Sequence, residues 1–177
     1  MKVKALCCAA LLGLLVGPAM AASVPTIVYI SPDCQTFDAP GGTAMVDIVA
    51  DIPEENAIIG FGLDLVLSGD PIVTPIDVAI GGSFDAVAAA DGDELAGMVM
   101  PPAPIFGDGI LLATVELSLD GIGTAILTPG YTLSDLTEGL PTPDGFVTDI
   151  EWVEGCIIVP EPATMLLLAL GALLRRR

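Results

Sequence analysis

Basic side chains occur only at the two ends of this 177-residue chain. They are Lys2, Lys4, Arg175, Arg176 and Arg177. From Ala5 to Leu174 the sequence contains no lysine, arginine or histidine. Whatever fold the middle adopts must therefore form without a side-chain salt bridge. Its stability has to come from buried apolar surface, from backbone hydrogen bonds and, where negative charges crowd together, from bound cations.

The same absence excludes whole classes of function. Nucleic-acid binding requires cationic groups that displace the counterions of the phosphates, so we expect no nucleic-acid partner. A histidine-based catalytic triad, a lysine Schiff base and an arginine phosphate clamp are excluded as well. The chain has 23 acidic residues, and all but Glu161 lie within residues 22–158. Because these 22 charges repel one another, we expect stability to depend on salt.

The first 21 residues have the layout of a secretory signal. A basic start is followed by an apolar core from Ala5 to Val16, and Ala19 and Ala21 form a small-x-small cleavage site. We therefore expect the mature chain to begin at Ala22. The alternative is an uncleaved membrane anchor, which we do not favour because the apolar core is well short of the ~20 residues that a span needs.

The C-terminus consists of three consecutive pieces. A Val159-Pro160-Glu161-Pro162 break is followed by an apolar run from Ala163 to Leu174 and by the three terminal arginines. A helix of that apolar length rises only ~18 Å, against a hydrocarbon core of ~30 Å. We therefore expect a transient membrane tether, with the arginines on the cytoplasmic side by the positive-inside rule.

This arrangement resembles the PEP-CTERM sorting signal of exported bacterial proteins. The resemblance covers Val159, Pro160, Glu161, Pro162, the apolar run, Arg175, Arg176 and Arg177. It implies two partners, the secretion machinery and an exosortase that processes the tail near Pro-Glu-Pro. It also implies a precursor held in the inner membrane and a final place at the cell surface, outer membrane or extracellular matrix of a Gram-negative-type bacterium. The alternative, a C-terminal helix packed into the core, gives the arginines no purpose.

Between the targeting ends, residues 22–158 are predicted to form one all-β domain. In the Ala44–Asp51 segment, Val46, Ile48 and Ala50 are expected to face inward and Asp47 and Asp51 outward. In Ile110–Leu119 the expected inward residues are Leu111, Ala113, Val115, Leu117 and Leu119. The predicted strands are Thr26–Ser31, Ala44–Asp51, Ile59–Leu67, Ile76–Ile80, Glu94–Met100, Ile110–Leu119, Gly123–Thr128, Phe146–Trp152 and Cys156–Val159. About nine strands with Gly/Pro turns between them indicate an antiparallel β-sandwich of the jelly-roll type. A helical turn is expected only at Ser83–Ala90, and a signal helix and a C-terminal hydrophobic helix should flank the domain.

Three segments carry a second resemblance. Ala44–Ala50, Ile58–Pro71 and Gly109–Leu127 follow one another as in the cohesin-like, carbohydrate-binding-module-like β-sandwich family. The aromatic residue usual before the Asp-Pro turn is replaced by Ser68 and Gly69, a departure that bears on dockerin binding more than on the fold. The resemblance implies a binding module for a polysaccharide or for a dockerin-like surface protein.

Two cysteines, Cys34 and Cys156, lie outside the signal. In an exported protein such a pair most simply forms one disulfide, and the alternative is two free buried thiols. In the family that the domain resembles, the first and last strands are neighbours. The resemblance therefore implies that the two cysteines come close together.

Only carboxylates are available for acid–base catalysis, and no pair stands in an apolar setting that would raise one pKa. We therefore expect no enzymatic activity. The acidic turn containing Asp91, Asp93 and Glu94 is the candidate Ca²⁺ site, although the ligand spacing of an EF-hand is absent and a plain acidic turn is favoured. No other cofactor is expected.

Sugar binding usually requires an aromatic platform. The polar-tipped aromatic residues Tyr29, Tyr131 and Trp152 are far apart in the sequence, and Trp152 is predicted to cap the edge of the core. The favoured interpretation is a non-enzymatic exported protein of the cell surface or exopolysaccharide matrix, and the alternative is the cohesin-like binding module.

Overall fold

The computed structural model of the protein describes residues 24–88, 95–132 and 138–162. Strands dominate these ranges. They are β1 (Thr26–Ser31), β2 (Cys34–Thr36), β3 (Thr43–Ile52), β4 (Gly60–Gly62), β5 (Asp64–Gly69), β6 (Val73–Ile80), β7 (Asp85–Ala86), β8 (Ala96–Met98), β9 (Gly107–Leu119), β10 (Gly123–Gly130), β11 (Pro141–Thr142), β12 (Gly145–Phe146), β13 (Ile150–Val153) and β14 (Gly155–Val159). A 3-10 turn at Glu54–Asn56 follows β3.

Two main sheets share one apolar core. The larger has the strand order β13-β1-β3-β9-β6 and the smaller the order β2-β14-β10-β5. A three-stranded sheet, β4-β8-β7, continues from the smaller one because β4 and β5 follow each other along the chain. A separate bridge joins Gly62 of β4 to Gly139. Buried residues from both sheets, such as Val46 and Leu117 on one and Leu127 and Ile157 on the other, belong to a single cluster. The predicted all-β sandwich is confirmed.

The alternation read from the sequence places the core side chains correctly on β3. Val46, Ile48 and Ala50 are at most 1% exposed. Because successive side chains of a strand point to opposite faces, the intervening Asp47 lies on the outer face, where its Oδ1 accepts a hydrogen bond from Thr114 Oγ1 of β9 at 2.6 Å. The Asp47 carboxylate is thus paired with a neutral hydroxyl donor on the neighbouring strand.

The inward assignment of Leu111 is wrong. Leu111 is 37% exposed, whereas its neighbour Leu112 is fully buried. The pairing of β3 with β9 shifts between Ile48 and Val49, whose partners are Ala113 and Leu111. This bulge leaves Leu112 without a partner on β3 and reverses the alternation for the residues before it.

The sandwich is not purely antiparallel, contrary to the prediction. β1 pairs with β13 in parallel, and β2 pairs with β14 in parallel. The first two strands, β1 and β2, lie in different main sheets, and so do the last two, β13 and β14. Strands that are distant in sequence are not joined by a tight turn, so nothing forces them to run in opposite directions.

Two predicted strands are each divided. Ile59–Leu67 becomes β4 and β5 because the chain changes partners at Leu63, from β8 before it to β10 after it. Phe146–Trp152 becomes β12, which pairs with β11, and β13, which joins the larger sheet. These divisions, with β2, β7 and β11, bring the strands of the described ranges to more than the expected nine.

The helical turn expected at Ser83–Ala90 is wrong over the described residues 83–88. Phe84 follows a tight turn, with its N–H donating to Gly81 O, and Asp85–Ala86 then pairs with β8. This conformation buries the Phe84 side chain, whose ring packs edge-on against Phe61 with centroids 5.0 Å apart. The predicted signal helix and C-terminal hydrophobic helix lie outside the described residues. Within the described ranges there is no helix long and apolar enough to cross a membrane.

Candidate functional site

The sorting motif begins inside the last strand of the sandwich. Val159 ends β14, is fully buried and pairs with Gly123 of β10. Pro160 is half-buried, and Glu161 and Pro162 are exposed. The Pro-Glu-Pro segment therefore leaves the domain directly, without a spacer. The predicted sorting residues Arg175, Arg176 and Arg177 lie outside the described residues, as do the signal cleavage residues Ala19 and Ala21.

A disulfide joins Cys34 to Cys156 across β2 and β14. The two residues stand opposite each other in the parallel pair, with their Cα atoms 4.4 Å apart. The bond closes a loop with a sequence separation of 122 residues, so it links the first part of the domain to its last strand. Of the two alternatives left by the sequence, the structure contains the disulfide and not the free thiols.

Carboxylates of the domain find donors among hydroxyls and backbone N–H groups. Examples are Asp64 with Thr132 Oγ1, Asp70 with Thr124 N, Asp51 with Gly109 N, Asp120 with Thr74 and Ser118 hydroxyls, and Glu154 with Thr128 Oγ1. The donor–acceptor distances run from 2.6 to 3.0 Å. Charge-assisted hydrogen bonds of this kind replace the salt bridges that the composition forbids.

Among the residues that the structure describes, Asp120 and Tyr29 have shifted pKa values. The hydroxyls of Thr74 and Ser118, in that order, lower the pKa of the Asp120 carboxyl by donating hydrogen bonds to its charged form. Burial raises the pKa of Tyr29, and the negative charge of Asp51 adds to the effect. The shift of the Asp120 pKa thus comes from its hydrogen-bond partners, and that of the Tyr29 pKa from burial and the neighbouring carboxylate.

The candidate calcium ligands Asp91, Asp93 and Glu94 lie outside the described residues, and the possibility of Ca²⁺ binding there stays a prediction. Within residues 24–88, 95–132 and 138–162 there is no group of three or more Asp, Glu, Cys or His side chains arranged to hold a metal ion.

The structure brings together two aromatic residues that the sequence separates. Tyr131 follows β10 and Trp152 lies in β13, and their ring centroids are 5.7 Å apart at an angle of 52°. Trp152 is half-buried and packs against the core, while Tyr131 is 38% exposed. The pair lies where β10 and β13 meet and closes one edge of the sandwich. Tyr29 is elsewhere, with its hydroxyl 3.5 Å from Asp51 Oδ1.

Sequence reasoning missed this pair because the contact depends on which strands border the two sheets. β13 is the outer strand of the larger sheet and β10 an inner strand of the smaller, and the two meet at the sandwich edge. The predicted edge-capping role of Trp152 agrees with its position, and Tyr131 is the partner that the sequence could not identify.

Comparison with known proteins supports both resemblances noted in the sequence. Residues 159–177 match the family model described as the PEP-CTERM protein-sorting motif. This motif marks exported proteins that an exosortase processes. No curated protein matches the chain by sequence.

By fold the domain is similar to cohesins. The third cohesin of ScaC from Acetivibrio cellulolyticus, solved in complex with the ScaB dockerin, gives a TM-score of 0.51 at 15% identity and covers 77% of this chain and 99% of its own. A non-cellulosomal cohesin from the archaeon Archaeoglobus fulgidus gives 0.51 at 16% identity, covering 80% and 96%. Identities this low show a shared fold and nothing about the ligand.

Proposed function

We propose that the chain is a non-enzymatic exported protein of the cell surface or exopolysaccharide matrix, processed through its C-terminal tail. The observation that supports this most directly is the sorting-motif match at residues 159–177, which begins at the last residue of a disulfide-closed sandwich. The proposal divides the chain into a signal at 1–21, a β-sandwich at 22–158 and a sorting tail at 159–177. The precursor is held in the inner membrane until an exosortase acts.

The test is cell fractionation in a host that has a matching exosortase. The full chain should reach the surface or matrix fraction, and the same chain should remain in the inner-membrane fraction of an exosortase-deletion strain. A truncated chain that stops after Pro162 should be released without passing through the membrane fraction. Equal distribution of the full chain in the two strains would contradict the proposal.

A second candidate, the cohesin-like binding module, is favoured by one specific observation. The Tyr131–Trp152 pair offers a partly exposed aromatic surface, and Glu154, two residues after Trp152, is an exposed carboxylate acceptor. Aromatic faces and carboxylate oxygens suit the C–H faces and hydroxyls of a sugar. The cohesin named above is seen with a dockerin, so a protein partner is the other ligand class. Because the domain has no basic side chain, neutral or amine-bearing glycans should bind in preference to anionic ones.

A glycan array and a dockerin pull-down on the disulfide-bonded secreted protein separate these ligands. Glycan binding through the pair predicts that Tyr131→Ala reduces the signal about tenfold or more. The control is Phe106→Ala, an aromatic residue 51% exposed and outside the pair. Equal loss in both variants, or an unchanged signal in Tyr131→Ala, would remove the pair as a glycan contact.

A further inference from the structure

Strand β14 is held on both edges and by a covalent bond. On one side it pairs with β10 from Gly155 to Val159, and on the other Cys156 to Ile158 pair with β2. Beyond β2, Phe37 N donates to Ile158 O at 2.9 Å. The Cys34–Cys156 disulfide crosses the same pair of strands. An interior strand of this kind is exposed to another protein only if the sheet opens.

The far end of β14 is held by β10 and by burial in the core. Val159 is fully buried and stands opposite Gly123. Gly123 has a φ of +143°, and a side chain there would meet the Asp70 carboxylate, whose Oδ2 accepts from Thr124 N at 2.9 Å. The hydrogen bond from Thr124 to Asp70 thus fixes the start of β10, where Gly123 pairs with Val159.

Exposure changes abruptly after this residue. Val159 has no exposed surface, Pro160 is half-buried, and Glu161 and Pro162 are exposed. Pro160 has no N–H and so cannot extend the ladder that β14 makes with its neighbours. The first proline of the motif therefore marks the physical end of the sheet.

We infer that the boundary between the folded domain and the processing signal lies between Val159 and Pro160, inside the matched motif. Val159 is a core residue of the domain, the recognised segment begins at Pro160, and the cleaved bond lies on the C-terminal side of Val159. The Cys34–Cys156 disulfide acts as a positioning element that keeps β14 closed during processing. The inference rests on the proposed function for the cleavage step itself.

The chemistry of the step is an acyl transfer. The peptide C–N bond breaks, the carbonyl carbon passes to a nucleophile, which is water or an amine, and the nitrogen takes a proton to become the amino terminus of the released tail. A cut before Val159 would remove a buried side chain and a ladder pair and would require β14 to leave the sheet. A cut after it leaves every described contact of β14 in place.

Two single substitutions separate a core role from a recognition role. In the full chain, Val159→Ala should lower the melting temperature of the exported protein by about 5–10 °C and leave the cleaved bond unchanged. Glu161→Gln, on an exposed residue, should leave the melting temperature unchanged and reduce processing. Loss of processing in Val159→Ala at an unchanged melting temperature would make Val159 a recognition residue and overturn the boundary.

The positioning role of the disulfide is tested by mass spectrometry of the processed protein, which shows at which residues the product ends. The Cys34→Ser and Cys156→Ser double variant should yield species that end before Val159 at about tenfold or more above the wild type, because β14 opens more often. A single C-terminus identical to the wild type in a folded double variant would refute that role.

Hydrogen exchange tests the boundary without relying on cleavage. In the full disulfide-bonded protein the amides of Ile157 and Val159 should exchange far more slowly than that of Glu161. Equal rates would overturn the boundary even if processing occurs. If instead the exported wild type keeps Arg175–Arg177 while the exchange pattern holds, the proposed processing is wrong and the boundary stands.

Discussion

The ends of the chain and its middle differ in the sign of their charge. All five basic residues lie in the two targeting ends, whereas residues 22–158 contain 22 acidic residues and none that is basic. The full chain has a formal net charge of −18, so removal of both ends leaves a more negative domain. The basic side chains therefore lie where sorting is proposed to act, and residues 22–158 fold without any of them.

What holds the middle is a different set of interactions. Its carboxylates accept hydrogen bonds from threonine and serine hydroxyls and from backbone N–H groups, as Asp120 does from Thr74 and Ser118. Its buried apolar residues form one cluster, and one disulfide joins its two ends. If these interactions suffice without ion pairs, removing each of them should lower stability by a measurable amount.

The largest effect should come from the covalent link. Replacing Cys34 and Cys156 together by serine should reduce the free energy of unfolding by about 4–5 kcal/mol, because the bond restricts a long loop in the unfolded chain. Urea unfolding of the exported protein measures the change. A loss below about 1 kcal/mol would mean that the middle does not depend on the link.

Two adjacent leucines test the burial component and the β9 bulge together. Leu112→Ala should cost about 2–5 kcal/mol because Leu112 is fully buried. Leu111→Ala, at a side chain 37% exposed, should cost less than about 1 kcal/mol. Urea unfolding midpoints of the two variants give the comparison. A larger loss for Leu111→Ala than for Leu112→Ala would mean that the alternation on β9 is unbroken and would contradict the bulge.

These two leucines also show how far sequence reasoning reaches. Alternation places Val46, Ile48 and Ala50 correctly because a regular strand with one buried face obeys a period of two. It fails at Leu111 because a bulge depends on the partner strand, which the local pattern does not contain. The parallel pairings of β1 with β13 and β2 with β14, and the contact of Tyr131 with Trp152, depend in the same way on residues distant in sequence.

Charge repulsion within the middle should give a smaller and salt-dependent effect. The melting temperature of the exported protein should rise with added NaCl and rise further with CaCl₂ at equal ionic strength, because cations screen or bridge the carboxylates. Thermal unfolding monitored by circular dichroism measures both series. A flat response to both salts would show that the carboxylates are far enough apart to be independent.

The smallest effect concerns a single carboxylate. Asp120 has a lowered pKa, so its contribution to stability is present above the pKa of the unfolded chain and is lost as the pH falls through the lower folded value. Asp120→Asn should therefore destabilise the protein at neutral pH and lose that difference in acid. Asp85→Asn removes the same charge at an exposed strand residue and serves as the control. Identical pH profiles of the two variants would exclude a contribution from the Thr74 and Ser118 hydrogen bonds.

The most direct test of the account is the intact mass of the exported wild-type protein before and after reduction. The account predicts a chain that begins at Ala22, ends between Val159 and Ala163, contains no basic side chain and gains the mass of two hydrogens when Cys34–Cys156 is reduced. A mass that includes Arg175, Arg176 and Arg177 would contradict the claim that the charged end is removed from the acidic domain.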